Sequence, residues 1–130
     1  MSVVMNIKGN GVDIVEIVRF KKIIEEKPKF LKRFFTDNEN QMFLEKHMKP
    51  ETIAGNFAAK EAVSKAFGTG VRGFNLLDIE VLRDELGQPY VNLYNGAQRV
   101  AIEKGIETLM VSISHSNENA IAFVIAVGEA

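Results

Sequence analysis

The stretch from Phe57 to Gly70, Phe-Ala-Ala-Lys-Glu-Ala-Val-Ser-Lys-Ala-Phe-Gly-Thr-Gly, limits what this chain can become more than any other. Its alanines favour helix, no β-branched run precedes Val63, and Gly68 stands where a helix would stop. Ala54, Phe57, Ala58, Glu61 and Lys65 recur at helical spacing and share one face. An acid and an amine on an apolar face are costly unless they are paired or used. The plain reading is an ion pair between Glu61 and Lys65, one turn apart. The functional reading is a site with one oxygen ligand and one cation for a phosphate.

At 130 residues and 46% hydrophobic composition, the chain is expected to form one domain, 1–130, with its own core. No apolar run reaches the roughly 18 residues that span a bilayer, and no signal-peptide pattern opens the sequence. Without cysteine, disulfides, thiolate metal sites and a cysteine nucleophile are excluded. A cytoplasmic protein is expected. A net charge of −1 argues against a general nucleic-acid binder, and no membrane partner is expected.

Along the chain, Val3–Ile7 reads as a short strand, followed by Lys8-Gly9-Asn10 and then Gly11-Val12-Asp13-Ile14-Val15. Asp13 interrupts an apolar run, so it either caps the next helix or faces a cleft. Residues from about Ile14 to Glu26 turn helical, with Ile17, Phe20 and Ile24 on one face. Seven basic residues (Arg19, Lys21, Lys22, Lys27, Lys29, Lys32 and Arg33) then face only Glu25 and Glu26. This is either a solvated basic face or a docking face for an acidic partner.

Thr36-Asp37-Asn38-Glu39 is a capping box, opening a helix to about His47 with Met42 and Phe43 inward. His47 reads as peripheral. Pro50 punctuates, and the central helix begins at about Glu51. Gly68-Thr69-Gly70-Val71-Arg72-Gly73 is not a P-loop: the Gly-Lys-Ser/Thr ending is missing and the helix precedes the glycines. Two glycines could still form an amide nest for an anion. Residues 78–83 and 89–94 alternate as a hairpin, and Asn95 is expected to cap a helix over 96–104. Residues 109–116 alternate strictly, with Val111, Ile113 and His115 on one side and Ser112, Ser114 and Ser116 on the other. His115 is either a satisfied structural histidine or a binding group at a strand end. Residues 120–127 form an apolar final strand.

Three stretches in this order resemble the small, single-lobe holo-[acyl-carrier-protein] synthases: Gly11-Val12-Asp13-Ile14, Phe57 to Gly70, and Ile113-Ser114-His115-Ser116. The resemblance spans nearly the whole chain. It implies an α+β fold with a central helix on a mostly antiparallel sheet, the single-lobe 4′-phosphopantetheinyl transferase fold. It also implies a homotrimer with active sites at protomer boundaries. The implied reaction, part of fatty acid biosynthesis, moves 4′-phosphopantetheine from coenzyme A to a serine of apo acyl carrier protein and releases adenosine 3′,5′-bisphosphate.

On this resemblance Asp13 and Glu61 would hold Mg²⁺, and the catalytic set would be Glu61, Lys65 and His115. Coenzyme A would be bound by Lys65, Gly68, Gly70, Ser114, His115 and Ser116. Arg19, Lys21, Lys22, Lys32 and Arg33 would receive the acidic carrier. The base is Glu61, directly or through a metal-bound water, with Lys65 as the rival. The family's arginine two residues before the Ala-Ala-Lys-Glu core is here Asn56, with Lys46, His47, Lys49 and Arg72 as substitutes for a phosphate contact. Two other functions compete: a non-catalytic coenzyme A- or nucleotide-binding module, and an RNA-binding basic helix. The second is disfavoured because the aromatics do not interleave with the basic residues as a stacking platform does.

Overall fold

The computed structural model describes residues 4–130. The element order is β1 (Met5–Glu16), α1 (Ile17–Glu26), α2 (Lys29–Phe34), α3 (Asp37–Glu45), α4 (Pro50–Phe67), β2 (Ile79–Arg83), β3 (Pro89–Leu93), α5 (Asn95–Glu103), β4 (Thr108–His115) and β5 (Asn119–Glu129). The strands form one antiparallel sheet in the order β1-β5-β4 and one antiparallel hairpin, β2-β3. This is the expected α+β arrangement, with α4 packed on the inner face of the three-stranded sheet.

The start of the chain differs from the sequence reading. Val3 lies outside the described residues. From Met5 onward there is one long strand instead of two pieces, with a bulge at Lys8, between Ile7 and Gly9. Strand pairing also continues through Ile14↔Ile121 to Glu16↔Asn119, so α1 begins at Ile17 rather than Ile14. Asp13 therefore sits mid-strand and caps nothing. The basic segment is broken at Lys27-Pro28 into two helices.

Two glycines explain how closely α4 approaches β1. A Cβ on Gly11 would lie 2.0 Å from the Ala62 carbonyl oxygen, and one on Gly9 would lie 2.0 Å from that of Ala66. Neither glycine has a left-handed φ, so what excludes a side chain is space. On the other edge, Gly55 admits Ile113, whose Cγ2 would be 2.8 Å from an added Cβ. The alanine-rich face of α4 is thus matched by small residues on the sheet: Ala120, Ala122, Val124 and Ala126 on β5 are all fully buried.

Helix α4 is also fixed from its other side. The expected capping box is present: Thr36 and Glu39 each accept from the other's backbone N–H. The Glu39 carboxylate goes further, forming a buried ion pair with Lys60 at 2.6 Å. It also accepts from Asn56 Nδ2 and the Val81 N–H, both at 3.1 Å. Lys60 donates to the carbonyls of Ile79 and Leu76 as well. Burial pushes the Glu39 carboxyl up and the Lys60 amine down, while their mutual attraction opposes both shifts.

Several boundaries follow local chemistry. Helix α3 ends at Glu45, and His47 and Met48 take left-handed backbone before Pro50 opens α4. Tyr94, not Asn95, is the N-cap of α5; Asn95 itself has φ 48°. No described helix is long and apolar enough to cross a membrane.

Candidate active site

Asp13 lies on the inner face of β1, in the row Asp13–Ala122–Ile113. Glu61 lies on α4, beside Ala62, whose carbonyl touches Gly11. The glycine contact therefore brings the two acids to one place. They line a groove of about 520 Å³ together with Ile14, Val15, Glu16, Arg19 and Phe57. Burial, and then the negative charge of Asp13, push the Glu61 carboxyl above its ordinary range; Lys65 and Arg19 draw it back.

Lys65 does not pair with Glu61. Its Nζ reaches across to β1, 3.0 Å from Asp13 Oδ1 and 2.9 Å from the Val12 carbonyl oxygen. The Lys65 side chain is more than half exposed.

The remaining residues are placed elsewhere on the chain. His115 faces the same side of the sheet as Asp13, but on β4, two strands away, in the row Val15–Ala120–His115. That separation is about 10 Å between backbones. His115 is exposed, with Nδ1 3.2 Å from the Ser116 carbonyl oxygen. Ser114 points to the opposite, outer face. Ser116 accepts from the N–H groups of Glu118 and Asn119, so it organises the β4–β5 turn. Gly68 and Gly70 follow the C-terminus of α4 with left-handed φ values of 119° and 79°.

Of the basic residues, Arg19 and Lys22 line a second groove with Val18, Ile23, Lys27 and Phe30, whereas Lys21 faces the β4–β5 turn. Lys27 thus joins the docking candidates, which the sequence reading had counted but not selected. Lys32 and Arg33 are exposed on α2. Asn56 is fully buried on a different face of α4 from Phe57 and Glu61. It holds Glu39, so this position does not open onto the groove.

The family model of the 4′-phosphopantetheinyl transferase superfamily matches residues 9–124. The chain belongs to this superfamily. Among curated members, a holo-[acyl-carrier-protein] synthase of Clostridium botulinum is 56% identical over 119 residues, covering 92% of this chain and 96% of that protein. One from Alkaliphilus metalliredigens is 52% identical, covering 92% and 98%. Among solved structures, a Bacillus anthracis holo-(acyl-carrier-protein) synthase in complex with CoA (3′,5′-ADP) superposes with a TM-score of 0.76 at 37% identity, covering 96% and 99%. The superfamily's fold thus accounts for this chain from β1 to β5.

Proposed function

We propose that this chain, acting as a single domain over 1–130, transfers 4′-phosphopantetheine from coenzyme A to a serine of apo acyl carrier protein. The observation that carries the chemistry is the convergence of Asp13 and Glu61, from β1 and α4, on one groove, with the Lys65 ammonium bonded to Asp13. The names of the relatives and the coenzyme complex of the Bacillus anthracis protein support the substrates.

The groove suits Mg²⁺. Two neighbouring carboxylates, one of them half-buried and disfavoured as an anion, gain from a divalent cation. Among the described residues, no group of three or more His, Cys, Asp or Glu side chains could hold a metal. Two carboxylates, with phosphate oxygens and waters completing the shell, are what Mg²⁺ usually takes. Asp13 and Glu61 would hold the ion, which when bound neutralises pyrophosphate charge and polarises the attacked phosphorus.

The carrier serine oxygen forms the new bond to the pantetheine-side phosphorus. The bond from that phosphorus to the bridging oxygen breaks, and adenosine 3′,5′-bisphosphate leaves with the electron pair. Glu61 would take the serine proton, with Lys65 as the rival base. Lys65, released from Asp13, meets the charge that builds on the phosphate oxygens. His115, Ser116, Gly68 and Gly70 would hold the coenzyme, whereas Ser114 faces the other side of the sheet from His115. The basic surface of α1 and α2, led by Arg19, receives the carrier's acidic face through steering and register.

A homotrimer fits both the site and the sheet. Its outer face exposes Ile7, Val12, Ile14, Met110, Ile121 and Phe123, with Ile14 62% and Met110 53% accessible. An apolar sheet face of this kind marks an association surface. On this reading the sites would lie at protomer boundaries. A cytoplasmic location fits the fatty-acid-synthesis role.

The decisive assay is mass spectrometry of apo carrier protein incubated with coenzyme A, Mg²⁺ and this protein. A serine-linked gain of one phosphopantetheine is expected. Metal-independent coenzyme binding without product would instead indicate a non-catalytic binding module.

A further inference from the structure

Arg19 stands in the wall shared by two grooves, the one holding Asp13 and Glu61 and the one between α1 and α2. Among the described residues its guanidinium has no ion pair. It is held by aromatic faces instead: its Cζ lies 5.1 Å from the ring centroid of Phe57 and 5.5 Å from that of Phe20. Phe57 is nearly buried, and its ring is wedged against Phe20, Phe30 and Phe35. It sits on α4 one turn before Glu61, a rise of about 6 Å along the axis.

We propose that Phe57 is a positioning residue, whose ring fixes the Arg19 guanidinium so that a carboxylate docking on Arg19 is registered to Glu61. The physical reason is geometric. Arg19 belongs to α1, whereas the reacting acid belongs to α4, and a long arginine side chain would otherwise sample many rotamers. Stacking on Phe57 ties the docking cation to the helix that carries the chemistry. A planar guanidinium stacks well on a ring, whereas a lysine ammonium keeps the charge and loses the plane. The inference rests on α1 being the carrier-docking face.

The test is a double-mutant cycle read as KM for apo carrier protein and, separately, for coenzyme A. Phe57→Leu keeps most of the apolar volume but removes the ring face. It and Arg19→Lys should each raise the carrier KM by roughly 2- to 30-fold, the range that corresponds to one cation–π contact. The coenzyme A KM should stay unchanged, and the double variant should be no worse than the more severe single one. Phe35→Leu is the control for a loosened core, because Phe35 is buried even more completely and its ring packs against that of Phe57. It should lower the melting temperature without moving the carrier KM.

Additive effects of Phe57→Leu and Arg19→Lys, or a rise with Phe35→Leu matching that with Phe57→Leu, would overturn the positioning role. If Phe57→Leu does not fold, Arg19→Lys carries the test alone: an unchanged carrier KM sinks the proposal. Arg19→Glu separates the two readings. If it leaves the carrier KM unchanged, the docking face is wrong. If it raises that KM while Phe57→Leu does not, only the positioning role fails.

Discussion

Replacing Gly11 with alanine tests whether the β1–α4 contact sets the geometry of the acids. The added Cβ would lie 2.0 Å from the Ala62 carbonyl oxygen and 2.9 Å from the Ala66 nitrogen. Both are backbone atoms of a helix pinned on its far side by the Glu39–Lys60 pair, so neither yields as a side chain would. Ordinary contact begins near 3.4 Å, so strand and helix must part by roughly 1.4 Å. Overpacking of this kind costs about 1–3 kcal/mol of stability. Ala62 adjoins Glu61, and Gly11 is two residues from Asp13, so the separation passes directly into the distance between the acids. A displacement near 1 Å in a catalytic constellation can cost about 10²-fold in rate.

Gly9→Ala supplies the comparison. Its Cβ would meet the Ala66 carbonyl oxygen at the same 2.0 Å, but it lies about 14 Å along the strand from Asp13 instead of about 7 Å. Chemical denaturation should show similar stability losses for both variants. Transfer kinetics should show the large rate loss for Gly11→Ala and a much smaller one for Gly9→Ala. Equal rate losses, or a folded Gly11→Ala protein with near-normal turnover, would refute the reasoning.

Glu61→Gln should abolish Mg²⁺-dependent transfer yet raise the melting temperature of metal-free protein at neutral pH. The folded state holds the Glu61 proton more tightly than the unfolded chain, so this group's contribution to stability falls as pH rises from its ordinary value through its raised folded one. The stability gain should therefore vanish when the melt is repeated at a pH below the ordinary carboxylate range. Phe123→Glu, placed on the outer sheet face, should dissociate the proposed trimer in sedimentation and lower the transfer rate; an unchanged sedimenting mass would move the interface elsewhere. Lys60→Met should cost about 3–5 kcal/mol by stranding the buried Glu39 carboxylate, and adding Glu39→Leu should recover part of it, as read by denaturant titration.

Much of the fold around the candidate site was legible because its motifs are local. The capping box at Thr36, the glycine stop of α4 and the alternation of β4 are short-range rules, and each stands in the structure. The Asp13 reading stayed open because one carboxylate in an apolar run fits a cap as well as a cleft. Only pairing with β5 through Glu16 excluded the cap. Lys65 was misleading for a similar reason. Helical spacing offered Glu61 as its partner, whereas the glycine-mediated approach of β1 offered a closer one in Asp13. Lys60 carried no signal of its own, since a lysine in a helix reads as exposed until a carboxylate from α3 is known to cover it.

By itself, the sequence determined most segments that become helix or strand beyond the first strand, where the glycines sit and which residues are candidates for chemistry, because propensity, capping and periodicity act within a few residues. Tertiary structure decided the rest: that Asp13 meets Glu61, that Asn56 turns inward, and that Arg19 rests on Phe57. Those contacts join residues more than fifteen positions apart, and what fixes them is the volume two elements leave between them. No local rule reports that volume.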